Sequence, residues 1–318
     1  MMCDSKPPYA TASAPSVACF DRPGAALGSL RRIVLIAFGG LALLSACILA
    51  APDVQAAAQT NAITDSFRPH KVGSGIAIDH HAWDELLKTY VKPARDGVNR
   101  VRYAAFKSTG HATLKSYIAN LQSVDPANLA RPEQMAFWVN LYNAKTIDII
   151  LDHYPVKSIR EISLESSLLG LLKKTVGVGG PWKAPVVTVK GHALSLDNIE
   201  HDILRPIYSD PRVHYAVNCA SYGCPNLQAT AFTGAKIDQQ LDAAARAFIN
   251  HPRGFAVRSG RVTASSIYDW FQVDFGGSAS AVLTHARQYA NSELKSALDG
   301  KTNIDSFDYD WSLNDIDR

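Results

Sequence analysis

The chain has 318 residues, 47% of them hydrophobic and 19% charged, with 20 Gly and 16 Pro, which excludes a disordered or fibrous protein and fits a globular one. The formal net charge is +3 and no block of like charges occurs, so no nucleic-acid stripe or polybasic lipid patch is present, and no nucleic-acid partner is expected. At the amino terminus, Arg31 and Arg32 precede an apolar run from Ile33 to Ala51 that ends in small residues and the triplet Val54-Gln55-Ala56, the pattern of a cleaved export signal behind a long leading region. Two other outcomes stay open: Leu44-Ser45-Ala46-Cys47 matches a lipobox, which would lipidate Cys47, and an apolar run of about 19 residues can just span a bilayer as an uncleaved anchor. The expected organisation is an export signal over 1–56, a linker over 57–75 and one domain over 76–318. The expected location is the periplasm or cell envelope, with membrane contact only through the amino-terminal segment or a lipidated Cys47. Removing 1–56 takes away Lys6, Arg22, Arg31 and Arg32 against Asp4, Asp21 and Asp53, which leaves a nearly neutral domain.

Along that domain, HAWDELLKTYV predicts a helix with Trp83, Leu86, Leu87 and Val91 at three-to-four-residue spacing. VNRVRYAAF follows as a short extended piece and HATLKSYIANLQSV as a second helix. The longest helix is expected from Glu133 to His153, stopped at Tyr154-Pro155. Its apolar stripe of Phe137, Leu141, Ala144, Ile147 and Leu151 includes Asn140 and Asp148, with Asn143 at its edge. Buried amides of this kind either satisfy backbone groups or wall a site. A further helix is expected over Ser163–Lys174, then a hairpin in APVVTVKGHALSL. LDNIEHDIL reads as a helix with Asp197 and Glu200 at capping-box spacing, and PRVHYAVN as a strand. KIDQQLDAAARAFINHP predicts a helix, GFAVRSGRVTAS a hairpin turned at Ser259-Gly260, and short helices lead to an extended aromatic end, NIDSFDYDWSLN. Helices and hairpins are segregated, which predicts an α+β single domain, its helix-rich amino-terminal half packed on a mainly antiparallel sheet of hairpins.

Without residues 1–56, Cys219 and Cys224 are the remaining cysteines. In an oxidising compartment their simplest role is a disulfide. The alternative is a nucleophile: Cys219 follows a predicted strand, and a helix starting after it would lower its pKa. His201 projects opposite the buried face of its helix and is the candidate base. Glu200, at the edge of that face, can orient an imidazole of another element, and N–H groups after Cys219 would hold an oxyanion. Asn143 completes the candidate catalytic set. Asn140, Asn218, Ser221 and Trp270 are the candidate substrate-binding residues. Tyr268, Trp270 and Trp311 either line a groove or anchor the core. The CxxxxC spacing is wider than the CxxC of dithiol oxidoreductases, and the His214 and Cys spacing fits no zinc module. No metal and no cofactor is expected.

The stretches FWVNLYNAKTIDIILDHYPVKSIR, LSLDNIEHDILRP, DPRVHYAVNCASYGCPNL, SSIYDWFQVDFGG and YDWSLN together resemble the domain-of-unknown-function 547 family, over about Ala82 to Asn314. The resemblance implies that Asn140, Asn143, Glu200, His201, Cys219, Cys224 and Pro225 belong to shared motifs. It also implies a looser analogy to thiol hydrolases of the papain and transglutaminase sort. Two functions therefore stand: an exported thiol hydrolase or transferase acting on an amide or thioester of a peptide-like or small thiol-containing substrate, or a non-catalytic domain with a Cys219–Cys224 bridge.

Overall fold

The computed structural model describes residues 62–164 and 180–317. The expected export signal, Cys47 and most of the expected helix Ser163–Lys174 lie outside the described residues. Residues Ala56–Arg318 form one compact unit, and its fold is α+β. Among the described residues, no helix is long and apolar enough to cross a membrane.

Residues 62–67, expected as linker, form helix α1. Phe67 explains the difference: it is fully buried and meets the Trp138 ring edge-on at 4.9 Å, so one aromatic side chain converts a polar segment into part of the core. Helix α2 (His81–Tyr90), strands β1 (Val91–Pro93) and β2 (Asn99–Val101), and helices α3 (Tyr103–Thr109) and α4 (His111–Gln122) follow. They surround α5 (Arg131–His153), which opens with Pro132 in its first turn. Helix α5 is buried on every side over most of its length, not along one stripe, so its polar residues must find partners inside the protein.

Strands β3 (Val187–Val189) and β4 (His192–Leu194) form a hairpin. The chain then turns helical at Leu196, becomes a π-helix over Asn198–Leu204 and ends as α6 (Arg205–Tyr208). The capping box is Ser195 with Asn198, not Asp197 with Glu200: Ser195 Oγ accepts the Asn198 N–H at 3.0 Å, and Asn198 Oδ1 accepts the Ser195 N–H at 2.9 Å. Pro206 has no N–H for the preceding turn, and the buried Asp202 carbonyl accepts instead from the Thr64 hydroxyl of α1 at 2.6 Å.

The expected strand PRVHYAVN is instead a short helix, α7 (Val213–Ala216). Its alternating apolar residues misled because Val213 through Asn218 are all buried, so alternation did not separate a wet face from a dry one. Next come α8 (Ile237–Ile249), the hairpin β5 (Phe255–Arg258) and β6 (Arg261–Ser265), α9 (Ile267–Trp270), α10 (Ala279–Tyr289), α11 (Ser292–Ala297) and β7 (Ser306–Asp308). The Ser259-Gly260 turn has φ of 50° and 77°, the paired left-handed geometry of a type I′ hairpin. Among the described residues, three separate small sheets stand in place of one sheet of hairpins, and β7 pairs with β6 in parallel. One core surrounds α5; a second, with Tyr215, Phe248, Tyr268 and Phe275, lies among α8, α10 and the β5–β6–β7 sheet.

Candidate functional site

Cys219 and Cys224 are both free thiols, and the loop carrying them is held from two directions. From α5, Asn143 Oδ1 accepts the Asn218 N–H at 2.8 Å, while its Nδ2 donates to the Ala216 carbonyl at 2.8 Å. Asn218 in turn donates to the Pro225 carbonyl at 2.7 Å and accepts the Ala220 N–H at 2.9 Å. This closes a turn in which Ala220 adopts φ of 61°, a left-handed conformation unfavourable for a residue with a Cβ. From the other direction the carboxyl-terminal segment runs alongside: Tyr222 N–H donates to Ser312, Gly223 N–H to Asp310 and Asn314 N–H to Ala220, at 2.7, 2.8 and 3.0 Å. Gly223 permits that approach, since a Cβ there would stand 2.8 Å from the Asp310 nitrogen.

The pairing delivers Tyr309. Its hydroxyl lies 3.1 Å from the Cys219 sulfur, 3.2 Å from the Cys224 sulfur and 2.8 Å from the Ser221 hydroxyl. Ser221 Oγ is also 3.2 Å from the Cys219 sulfur. The Cys224 sulfur accepts the Cys219 N–H at 3.0 Å. Burial pushes both thiols up. At Cys219 the adjacent Cys224 adds to that, so its pKa stands well above the ordinary thiol range. At Cys224, hydrogen bonds from Cys219, Tyr309 and Ser221 outweigh burial and bring the pKa down to about 7. Two sulfurs coupled in this way titrate as a unit. One proton leaves near neutrality, and the other stays on Cys219. Cys219 is the more exposed residue of the two, half-buried where Cys224 is 5% exposed.

The other expected residues divide into two groups. Asn140 clamps the Phe232 backbone, accepting its N–H at 3.0 Å and donating to its carbonyl at 2.8 Å, so it holds a loop as Asn143 does. Ser221 belongs to the sulfur cluster, and Trp270 packs against the Tyr309 ring at 4.8 Å. Tyr268 is a core residue whose hydroxyl meets that of Tyr215 at 3.2 Å. Glu200 and His201 lie in a second polar cluster. The His201 Nδ1 faces the Arg205 guanidinium at 3.3 Å and its Nε2 lies 3.9 Å from Asp197. Because Arg205 can only donate, Nδ1 is the acceptor and the ring is neutral; burial brings its pKa down to about 4. Glu200 accepts from the Tyr142 hydroxyl at 3.1 Å and stands 3.8 Å from His214. Burial raises the Glu200 pKa. His214 meets Asp274 at 2.7 Å, and Arg205 binds the same carboxylate through two nitrogens. Tyr142 links the clusters: burial raises its pKa, and negative charge at Glu200 and at both sulfurs raises it further.

His201 and Cys219 are thus in different clusters. Among the described residues, the polar side chains against the Cys219 sulfur are Ser221, Tyr309 and Cys224. No helix begins after Cys219 to lower its pKa. Of the N–H groups after Cys219, those of Ala220, Tyr222 and Gly223 are bonded within the protein as above, and that of Cys224 is bonded to the Ser221 carbonyl at 3.2 Å. A groove of about 520 Å³ lined by Pro211, Asp274, Phe275, Thr284 and His285 shares no residue with the sulfur cluster. His111, Asp148 and Asp152 come close enough together to suggest a metal site, but Lys115 and Lys145 lie 3.0 and 2.7 Å from Asp148 and supply the positive charge there.

Tyr309 is the residue of the sulfur cluster that no sequence motif picked out. Its one signal was an aromatic pair between acidic residues, YDW, in an otherwise polar tail. Residues 126–249 match the model of a family described as protein of unknown function, DUF547. The match contains both cysteines, Asn140, Asn143, Glu200, His201, Asn218 and Ser221, and ends before Trp270 and Tyr309, a shorter span than the resemblance suggested. No curated protein and no solved structure matches the chain.

Proposed function

Since the chain carries a DUF547 domain, whose description assigns no activity, we propose from the site itself that it is an exported dithiol protein that transfers a disulfide bond to thiol-bearing substrates. The observation that carries this reading is the pair of free thiols held together under one hydroxyl: the Cys224 sulfur accepts the Cys219 N–H at 3.0 Å, and the Tyr309 hydroxyl lies 3.1 and 3.2 Å from the two sulfurs. In the disulfide form, a substrate thiolate attacks the Cys219 sulfur and Cys224 departs as a thiolate. A leaving thiol of low pKa departs faster, and the Cys219 N–H and Tyr309 hydroxyl are already placed to receive that charge. A second substrate thiol then displaces Cys219. Two electrons pass from the substrate thiols to the chain, the substrate gains one S–S bond, and the chain is left with two thiols. A more oxidising disulfide restores the starting form by the same exchange. Stabilising the reduced form makes the disulfide a stronger oxidant, and the signal-like segment over Arg31–Ala56 is consistent with an oxidising compartment.

Acyl transfer by Cys219 with His201 remains the competing reading from sequence. It calls for an imidazole against the nucleophile and free N–H donors for the oxyanion. The test is to trap the intermediate. With Cys224→Ser, incubation with a disulfide-containing peptide is expected to leave a stable mixed disulfide on Cys219, seen by mass spectrometry. With Cys219→Ser no adduct is expected. Acylation of Cys219 by an ester or thioester substrate, with no mixed disulfide formed, would replace this reading with the hydrolase.

A further inference from the structure

The chain has five tryptophans. Trp83 and Trp138 are fully buried in the core around α5. The other three, Trp182, Trp270 and Trp311, come from three separate chain segments, and each keeps part of its surface in water. They nonetheless gather in one place. Trp311 lies 5.7 Å from Trp182 and 5.6 Å from Trp270, and Tyr309 closes the group at 4.6 Å from Trp311 and 4.8 Å from Trp270. The Tyr309 hydroxyl is the group that touches both sulfurs.

From this convergence we infer a substrate subsite: the three tryptophans and Tyr309 receive a large apolar or aromatic side chain of an extended polypeptide, placing a neighbouring cysteine at Cys219. The identity of the neighbouring residue as a cysteine rests on the disulfide-exchange reading; the ring pocket does not. Single exposed apolar residues are ordinary, whereas three partly exposed indoles gathered from separate segments beside a thiol pair fit a binding surface. Ring orientation selects the ligand. The interplanar angles are 65° between Trp182 and Trp311, 27° between Trp270 and Trp311, and 52° and 53° between Tyr309 and the two rings it meets. The rings are inclined to one another and share no common plane. Inclined rings favour a further aromatic side chain edge-to-face, whereas a sugar ring stacks on one open aromatic face. The Arg160 guanidinium, 5.2 Å above Trp311, also covers a face that a sugar would need.

Peptide binding is measured without disulfide chemistry, so that each idea can fail separately. Two hexapeptides with serine in place of cysteine, one carrying Phe and one carrying Gly beside that serine, are titrated into the reduced full chain and followed by calorimetry and tryptophan fluorescence. The expected result is at least about tenfold tighter binding of the Phe peptide, with a fluorescence change. Trp311→Ala and, separately, Trp270→Ala are expected to abolish the preference; the second variant guards against misfolding of the first. Equal affinity for the two peptides overturns the subsite, as does a preference that survives both substitutions or tighter binding of a chitin oligosaccharide than of the Phe peptide. The trapping of a mixed disulfide on Cys219 is independent of these outcomes.

Discussion

Tyr309→Phe removes one hydroxyl and keeps the ring that packs against Trp270 and Trp311, so it perturbs the charge at the sulfur pair and little else. The hydroxyl donates to the Cys224 sulfur at 3.2 Å and also contacts Cys219 and Ser221. A hydrogen bond to a charged group contributes about 1.5–3 kcal/mol. One proton shared among three neighbours places the loss at the lower end, about 1.5 kcal/mol, which equals roughly one pH unit in a titration. The first thiol deprotonation, at about 7 in the native protein, is expected to rise by that amount, read by thiolate absorbance or by the pH dependence of alkylation. The same energy removed from the reduced form makes the disulfide less oxidising by about 30 mV, since that is the equivalent of about 1.4 kcal/mol in a two-electron couple. The two shifts have one cause and must appear together. An unmoved titration midpoint, or a midpoint that moves while the potential does not, would refute the argument that Tyr309 stabilises the Cys224 thiolate.

Other outcomes follow from the same geometry. Asn143→Ala leaves the Asn218 N–H and the Ala216 carbonyl without their buried partner; at about 1–3 kcal/mol each, the expected loss of melting temperature is roughly 5–15 °C for a domain of this size, measured by calorimetry. Gly223→Ala drives a methyl group against the Asp310 backbone at about 1–3 kcal/mol. It is expected to raise the Cys224 midpoint as Tyr309→Phe does, because it pushes Tyr309 away; a drop in stability without that rise would separate the segment from the sulfurs. His201 ionises at about 4 in the fold against about 6.5 when unfolded, so between those values the unfolded chain binds the extra proton. Its stabilising contribution is complete above about pH 6.5 and is lost as pH falls towards 4. Denaturant midpoints in that window are expected to depend less on pH in His201→Gln than in the native chain.

The elements that sequence made legible are those whose periodicity is local. Helix α5, the two hairpins at Lys190-Gly191 and Ser259-Gly260 and helices α2, α4 and α8 each follow from spacing and turn chemistry. Asn140 and Asn143 stood out as polar residues on an apolar helix, and both proved to hold loop backbone. The failures have physical causes. The strand expected at PRVHYAVN was read from alternation, which carries no information once both faces are buried. His201 does lie off the buried face of Leu196, Ile199 and Ile203, as expected, but with a π-helix over Asn198–Leu204 a period of 3.6 residues could not say which side chains it meets. Tyr309 reaches the cysteines through pairing between residues about ninety positions apart, a contact that no local pattern encodes.

The central claim is tested most directly by equilibrating the protein in glutathione buffers of graded potential and measuring the Cys219–Cys224 state by mass spectrometry. The account predicts a reversible disulfide between these two residues, with a potential more positive than about −300 mV, above the range of structural bridges. A bridge more reducing than that, or sulfurs that stay unpaired across the whole series, would contradict it.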